Sequence, residues 1–211
     1  MKRVVTKVRR RLTRLRPVRI FLIARHGQST LNVEQRVNGD PGVRVDLTDD
    51  GHANARGLGQ QIANVPIGLC IHTRFDRTRQ TAQLALEGRE LPYEVEPLLD
   101  DVYVGDLEGE TIEDYRAWKS QHTRADKFPG GESLDDAGRR YADAFRKLVA
   151  RETPDVLLVV THEIPIRYAL NATAGSDDLD GPMHEVRNAT PYLFDDPSLL
   201  RAAERIDELA R

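Results

Sequence analysis

Apolar and polar residues follow one another along the chain in two alternating kinds of pattern. Short apolar or alternating runs predict five strands, over residues 20–24, 69–73, 93–96, 156–160 and 190–194. Apolar residues at helical spacing lie between these runs. They predict helices that begin near Thr48, Asp76, Thr111, Ser133, Ile164 and Ser198. Strands that alternate with helices indicate an α/β fold, although they leave the order of the strands open.

Two of the predicted strands end in a histidine. The run at 156–160 is apolar throughout, as expected of a central parallel strand, and is followed by Thr161-His162-Glu163. The run at 20–24 is followed by Arg25-His26-Gly27. Because ligands in open α/β sheets bind at the carboxyl ends of the strands, both histidines are candidates for the functional site. Pro191 indicates that the last strand lies at an edge of the sheet.

Polar residues at the predicted helix starts support their boundaries. We expect Thr48 and Asp76 to act as N-caps, and Ser133 with Asp136 to form a capping box. Each cap supplies an acceptor for backbone N–H groups that the first turn of a helix leaves without partners.

The composition is that of an ordinary globular protein, with 39% hydrophobic and 31% charged residues. No apolar run approaches the roughly 20 residues that a membrane-spanning helix requires. The first residues are basic but lack the apolar core of a signal peptide. The single cysteine, Cys70, excludes an intramolecular disulfide and lies in an apolar setting, where we expect a buried thiol rather than a nucleophile. These features favour a cytoplasmic protein.

Charge divides the chain unevenly. Residues 1–19 contain nine Lys or Arg and no acidic residue, so the total of −3 leaves residues 20–211 with −12. We interpret residues 1–19 as a basic N-terminal extension and residues 20–211 as a single domain. The extension is able to contact an anionic partner, but we favour a solvated extension because no aromatic residue lies among the charges. The acidic domain argues against specific nucleic-acid binding.

Several short motifs occur in order between residues 20 and 195. After Arg25-His26-Gly27 come Leu47-Thr48-x-x-Gly51, Arg77-x-x-Gln80-Thr81-Ala82, Asp101-x-x-x-Gly105-x-x-Glu108-Gly109, Gly130-Gly131-Glu132-Ser133 and Thr161-His162. In this order they resemble the histidine phosphatase superfamily, which includes phosphoglycerate mutases and acid phosphatases. The resemblance implies a three-layer α/β/α sandwich around a mixed, mostly parallel sheet of about six strands.

The resemblance also implies roles for individual residues. His26 would attack phosphorus and carry the phosphoryl group, Asp101 would act as general acid and base, and His162 would complete the catalytic set. The phosphate oxygens would be held by Arg25, Arg77, Asn32 and Thr30. Arginine forks suit phosphate, and the sequence contains neither a Walker P-loop nor an Asp-x-Asp metal cluster in a matching context. We therefore expect neither a metal ion nor a cofactor.

The sequence departs from the family pattern at several positions near the expected site. Asp101 stands where glutamate is usual, and the adjacent Asp100 is the alternative proton donor if the loop is shifted by one residue. Glu163 replaces a usual glycine; its carboxylate would repel a phosphate dianion, or orient His162 or a cationic group of the substrate. The residues His72-Thr73-Arg74 replace Ser-Ser-Pro.

The sequence favours a metal-independent phosphomonoester hydrolase that acts on a small phosphorylated metabolite and releases inorganic phosphate. One alternative is a phosphoglycerate mutase-type phosphotransferase, which needs additional basic residues near the mouth of the site. The other is a non-catalytic phosphoryl-binding or docking protein, for which Asp101 and Glu163 are the support. The sequence leaves the physiological substrate and the oligomeric state, including a homodimer, open.

Overall fold

A computed structural model describes residues 18–152 and 154–210 of the chain. Most of the predicted basic extension, residues 1–17, lies outside the described residues, so its contact with an anionic partner stays a prediction. Arg19 is described and is buried, and its Nε lies 3.2 Å from a carboxylate oxygen of Asp196. The last residue of the predicted extension is therefore in contact with the C-terminal part of the fold.

Five strands form one sheet among the described residues. They are β1 (Ile20–Arg25), β2 (Leu69–His72), β3 (Tyr93–Val95), β4 (Val156–Thr161) and β5 (Pro191–Asp195). Their order is β3-β2-β4-β1-β5, and β5 is antiparallel to β1 whereas the other pairs are parallel. The mixed, mostly parallel sheet is confirmed, with five strands where about six were expected. The apolar strand β4 is central and β5 is an edge strand, as their sequences predict.

The helices occupy the segments between and after the strands. Those described are α1 (Thr30–Val33), α2 (Asp49–Gln61), α3 (Asp76–Ala85), α4 (Ile112–Gln121), α5 (Leu134–Ala150), α6 (Glu163–Thr173) and α7 (Asp196–Leu209). Two 3-10 turns, Pro97–Leu99 and Gly105–Leu107, lie between β3 and α4. All six predicted helices form, while the single turn α1 is too short to have an apolar period. No helix within residues 18–152 and 154–210 is long and apolar enough to cross a membrane.

Alternate residues of the strands face two separate cores. Phe21 and Ile23 of β1 belong to a core shared with α5, α6 and α7, whereas Leu22 and Ala24 belong to a core shared with α2 and α3. Helices therefore cover both faces of the sheet, which confirms the three-layer sandwich. Cys70 lies in the second core, where burial raises the pKa of its thiol to about 12. The predicted buried thiol is confirmed.

The helix caps follow the sequence with one exception. Thr48 accepts the backbone N–H of Gly51, and Ser133 and Asp136 form the expected capping box. The prediction that Asp76 caps α3 is wrong. Phe75 occupies the N-cap position without a side-chain hydrogen bond, and Asp76 is the first helical residue. A carboxylate in the first turn still favours the positive end of the helix, so this position stabilises α3 by another route.

Candidate active site

The pairing of β1 with β4 brings two histidines together. Arg25 is the register partner of Thr161, and the backbone N–H of His26 donates to the carbonyl of Thr161 at 2.9 Å. His26 and His162 therefore leave the carboxyl ends of adjacent parallel strands side by side. Their ring centroids are 5.5 Å apart with an interplanar angle of 64°, and both side chains are buried.

One guanidinium group connects the two imidazoles with a carboxylate. Arg77 lies in the first turn of α3 and is only 3% exposed. Its Nε donates to Nε2 of His26 at 3.1 Å, and its Nη2 lies 3.1 Å from Nδ1 of His162. The same Nη2 lies 3.3 Å from a carboxylate oxygen of Asp101. Burial lowers the pKa of Arg77 to about 10, which leaves the side chain cationic at neutral pH.

The hydrogen-bond partners assign opposite tautomers to the two histidines. Nδ1 of His26 lies 2.7 Å from the carbonyl of Gly27 and must donate to it, so Nε2 carries the lone pair that accepts from Arg77. In His162, Nδ1 accepts from Arg77, and Nε2 therefore carries the proton that points to Oγ1 of Thr73 at 3.0 Å. His26 thus presents an unprotonated nitrogen to the cationic group.

Burial and positive charge keep both imidazoles neutral. Burial lowers the pKa of His26 well below 6.5, and the positive charges of Arg77 and Arg25 lower it further. Burial and Arg77 also lower the pKa of His162. A neutral imidazole keeps its lone pair, so His26 is in the protonation state that a nucleophile requires.

The two adjacent aspartates point to different partners. Asp101 lies beside Arg77, and its Oδ2 is 3.4 Å from Nδ1 of His162. Burial raises the pKa of Asp101, although Arg77 opposes the effect. Asp100 instead accepts the backbone N–H of Arg74 at 3.0 Å and its Nε at 2.5 Å. Asp101 is therefore the carboxyl group that shares the histidine cluster.

The cluster opens into a cavity of about 470 Å³. Arg25 and Asn32 line this cavity together with His26, Arg77 and Asp101. Thr30 begins α1 and is exposed, whereas its neighbour Ser29 lines the cavity. The structure thus brings all the expected site residues except Thr30 to one place. Among residues 18–152 and 154–210, no group of three His, Cys, Asp or Glu side chains is arranged to hold a metal ion.

The sequence of the chain also matches the model of a known protein family. The family model for the histidine phosphatase superfamily, branch 1, matches residues 21–195, which include both histidines, Arg77 and Asp101. The chain belongs to the histidine phosphatase superfamily. Membership in this family of enzymes, expected from the motifs, is thereby confirmed.

The relatives of this superfamily member have more than one activity in their names. An adenosylcobalamin/alpha-ribazole phosphatase from Salmonella typhimurium is 30% identical over 154 residues, which cover 69% of this chain and 74% of the relative. A 2,3-bisphosphoglycerate-dependent phosphoglycerate mutase 2 from Gloeobacter violaceus is 32% identical over 165 residues, covering 72% and 74%. The crystal structure of the alpha-ribazole phosphatase from Shigella flexneri has a TM-score of 0.73 over 82% of this chain and 89% of that chain, with 22% identity.

Asn38 and Glu108 support the site of this superfamily member and were not predicted. The side-chain oxygen of Asn38 accepts a hydrogen bond from Nη1 of Arg77, and its carbonyl accepts from Nη2 at 3.2 Å. Glu108 in turn accepts from Nδ2 of Asn38 at 2.5 Å and from the backbone N–H of Gly39 at 2.7 Å. The available signal was Glu108 in the family motif. Glu108 holds the loop at Asn38 and Gly39, and this loop orients Arg77.

Three further residues hold the backbone and rings in place. Thr81 Oγ1 accepts the N–H of Gly27 at 2.9 Å, and Asn188 donates to the carbonyl of His26 at 2.7 Å. Thr73 holds the ring of His162 through Nε2, as described above. Thr73 occupies a position where the sequence departs from Ser-Ser-Pro, and a hydroxyl at that position was the signal for a hydrogen-bonding role.

Proposed function

We propose that this chain is a metal-independent phosphomonoesterase that transfers the phosphoryl group of a small organic phosphate to His26 and then to water. One observation carries the proposal: the guanidinium of Arg77 contacts both imidazoles and Asp101. Phosphoryl transfer depends mainly on positioning and on stabilisation of spread negative charge. A buried cation between a neutral nucleophile and a carboxyl group meets both needs.

In the first step, the bound phosphoryl oxygens take over the Nε donor of Arg77, which frees the lone pair on Nε2 of His26. This nitrogen then attacks phosphorus in line with the ester oxygen. The N–P bond forms while the P–O bond to the alcohol breaks, and Asp101 gives its proton to the departing oxygen. The raised pKa of Asp101 supports this role, because a larger fraction of the carboxyl group stays protonated than at an exposed site. Arg25, Arg77 and Asn32 line the cavity and are the proposed partners of the phosphoryl oxygens, while Nδ1 of His162 holds the guanidinium of Arg77 in place.

In the second step, water attacks the phosphohistidine. The carboxylate of Asp101 accepts a proton from this water as the new O–P bond forms and the N–P bond breaks. Orthophosphate leaves, His26 recovers the lone pair on Nε2, and Asp101 is protonated again. The cycle therefore balances without a further reactant.

Hydrolysis of p-nitrophenyl phosphate in EDTA tests the proposal. The wild-type protein should release phosphate and give an acid-labile phosphoryl adduct on His26, detected as a mass increase in rapidly quenched samples. His26→Ala should lose both signals, whereas His52→Ala, on α2 and away from the cavity, should keep them. Turnover that survives in His26→Ala would refute the mechanism. Phosphate binding without any turnover would favour the docking protein.

Basic residues elsewhere in the cavity favour a mutase as the second candidate. Arg36, Arg116 and Lys119 line the same cavity as His26. A mutase must hold a second anionic group of its substrate while the phosphohistidine returns its phosphoryl group, and these cations are suited to that task. The named mutase among the relatives supports this candidate. Phosphoglycerate interconversion faster than phosphate release, measured on one sample, would favour the mutase over the phosphatase.

A further inference from the structure

Glu163 places both oxygens of its carboxylate on arginines of the cavity. It is the first residue of α6 and directly follows His162. Its Oε2 lies 2.9 Å from Nη1 of Arg25, and its Oε1 accepts from Nη1 of Arg167 at 3.1 Å. All three side chains line the cavity that contains His26. An internal carboxylate thus already occupies guanidinium donors beside the proposed nucleophile.

Both arginines also have anchors other than Glu163. Arg25 Nη1 donates to the carbonyl of Val186 at 2.9 Å, and Arg167 Nη2 donates to Asp180 at 2.7 Å. The Nε atoms of both arginines are buried without a hydrogen-bond partner among the described residues. Loss of the charge on Glu163 would leave two anchored cations, with the Nη1 group of each no longer paired with this carboxylate.

We propose that Glu163 is an internal counter-ion of the phosphate site, which competes with phosphate oxygens for Arg25 and Arg167 and weakens the binding of inorganic phosphate. The inference rests on the proposed function, because it takes Arg25 as a phosphate-binding residue. Guanidinium groups bind carboxylate and phosphate by the same fork geometry, so the two anions exclude each other. Repulsion between Glu163 and a phosphate dianion acts in the same direction.

The counter-ion role has a functional consequence for a hydrolase. Inorganic phosphate is the product that remains in contact with the arginines after the phosphohistidine is hydrolysed. A carboxylate that returns to Arg25 and Arg167 helps to displace this product. Product release limits turnover in many enzymes. Glu163 would therefore lower the affinity for substrate and speed the release of inorganic phosphate.

An ordinary structural role predicts the opposite sign. A carboxylate in the first turn stabilises the N-terminus of a helix, and a carboxylate that only orients Arg25 would help that arginine to bind phosphate. Under either role, removal of the charge on Glu163 leaves phosphate affinity unchanged or reduces it. Of these three roles, only the counter-ion role predicts tighter binding.

Calorimetric titration with inorganic phosphate separates these roles. Glu163→Gln keeps the size of the side chain and removes its charge, and its Kd for phosphate should fall by on the order of tenfold. Glu163→Asp keeps the charge and should stay near the wild type. Glu204→Gln removes the same net charge from an exposed position on α7 and is the matched control. In turnover assays, KM and the inhibition constant of phosphate should both decrease in Glu163→Gln.

The outcomes distinguish this inference from the proposed function. Unchanged or weaker phosphate binding by Glu163→Gln, with a Tm like that of the wild type, would overturn the counter-ion role. If Glu163→Gln does not fold, Glu163→Gly provides the second variant, with the same expected gain in affinity. Wild-type protein that binds phosphate but hydrolyses no phosphomonoester refutes the proposed function while the affinity comparison still decides the role of Glu163. If neither wild type nor variants bind phosphate, both proposals fail.

Discussion

Nε of Arg77 lies 3.1 Å from Nε2 of His26, so this guanidinium contacts the nitrogen that is proposed to attack phosphorus. The contact keeps the proton off Nε2, because a donor on Arg77 needs an acceptor there. The other nitrogens of the same group are held by His162 and by the Asn38 loop. The orientation of Arg77 therefore matters as much as its charge.

Replacement of Arg77 by lysine should separate orientation from charge. Lysine keeps the positive charge but is a single point that cannot contact both imidazoles and Asp101. We expect kcat/KM for p-nitrophenyl phosphate to fall by roughly 10²–10³-fold. Arg79→Lys is the control, because Arg79 lies two residues further along α3 with a side chain that is 45% exposed. Comparable activity of the two variants would contradict a positioning role for Arg77.

Substitution of Asp101 should reduce activity, whereas substitution of Asp100 should reduce stability. Asp101→Asn should reduce kcat/KM by roughly 10²–10⁴-fold with an alkyl phosphate, and by less with p-nitrophenyl phosphate, whose leaving group needs no proton. Asp100→Asn removes an acceptor from Arg74 and should cost stability, measured as a lower Tm, rather than leaving-group dependence. A stronger leaving-group dependence in Asp100→Asn would reverse the assignment.

The sequence predicted the centre of the site because strand ends determine it. The apolar run of β4 and the shorter run of β1 indicated buried parallel strands, and parallel strands end at the same edge. His26 and His162 therefore had to emerge together. Arg77 and Asp101 came from family motifs at fixed spacing, and the structure brings both to the same cavity as His26.

The supporting residues could not be predicted because their contacts depend on the path of loops. Asn38 and Glu108 are 70 residues apart, and only the folded loops show that one holds the other. The same limit applies to Asp100 and Asp101, which the sequence left as alternatives and which differ only in direction. For Glu163, the sequence suggested repulsion of phosphate, or a contact with His162 or with a cationic group of the substrate. It did not indicate the ion pairs with Arg25 and Arg167.

Activity should depend on pH through Asp101 rather than through His26. The pKa of His26 lies well below 6.5, so protonation of the nucleophile should not reduce kcat/KM as the pH falls through 6.5. The pKa of Asp101 is raised from 3.8, so the protonated acid persists to higher pH, and kcat/KM for an alkyl phosphate should fall as the pH rises through that raised value. Steady-state rates across the pH range check both the absence of a loss at pH 6.5 and the loss of activity as the pH rises.

The profile of Asp101→Asn is the control for this pH dependence. Ionisation of the substrate affects wild type and variant alike, whereas the limb due to Asp101 should vanish in the variant. If the activity of both proteins fell as the pH decreased through 6.5, beyond the change due to ionisation of the substrate, His26 would titrate at its ordinary pKa.

Stability should also respond to pH, with a sign set by the two buried histidines. Their pKa values are lowered in the folded state, so the unfolded chain binds more protons, and the free energy of unfolding increases with pH. The contribution is present above 6.5 and is lost as the pH falls below it. The raised pKa of Asp101 has the opposite effect, because there the folded state binds more protons. Its contribution to the free energy of unfolding decreases as the pH rises from 3.8. Urea unfolding in phosphate-free buffer at several pH values measures the slope.

Variants at two histidines test this linkage. His26→Asn should reduce the slope of the unfolding free energy below pH 6.5, because one of the two buried groups is gone. His184→Asn, at an exposed position, should keep the wild-type slope. A wild-type slope in His26→Asn would indicate that another group causes the acid destabilisation.

Replacement of Gly27 by alanine should lower the stability of the fold, whereas replacement of Gly57 by alanine should raise it. A Cβ on Gly27 would lie 2.4 Å from the carbonyl oxygen of Gly51, a backbone atom that cannot rotate away. Gly27→Ala should therefore destabilise the fold by about 1–3 kcal/mol and displace His26, with a loss of kcat on the order of 10²-fold. Gly57 lies within α2, and a Cβ there meets nothing within 4 Å. Gly57→Ala should stabilise the helix by roughly 0.5–1 kcal/mol and leave kcat unchanged. Urea unfolding and p-nitrophenyl phosphate turnover on both variants check the pair, and a Gly27→Ala variant with wild-type stability would show that the end of β1 tolerates displacement.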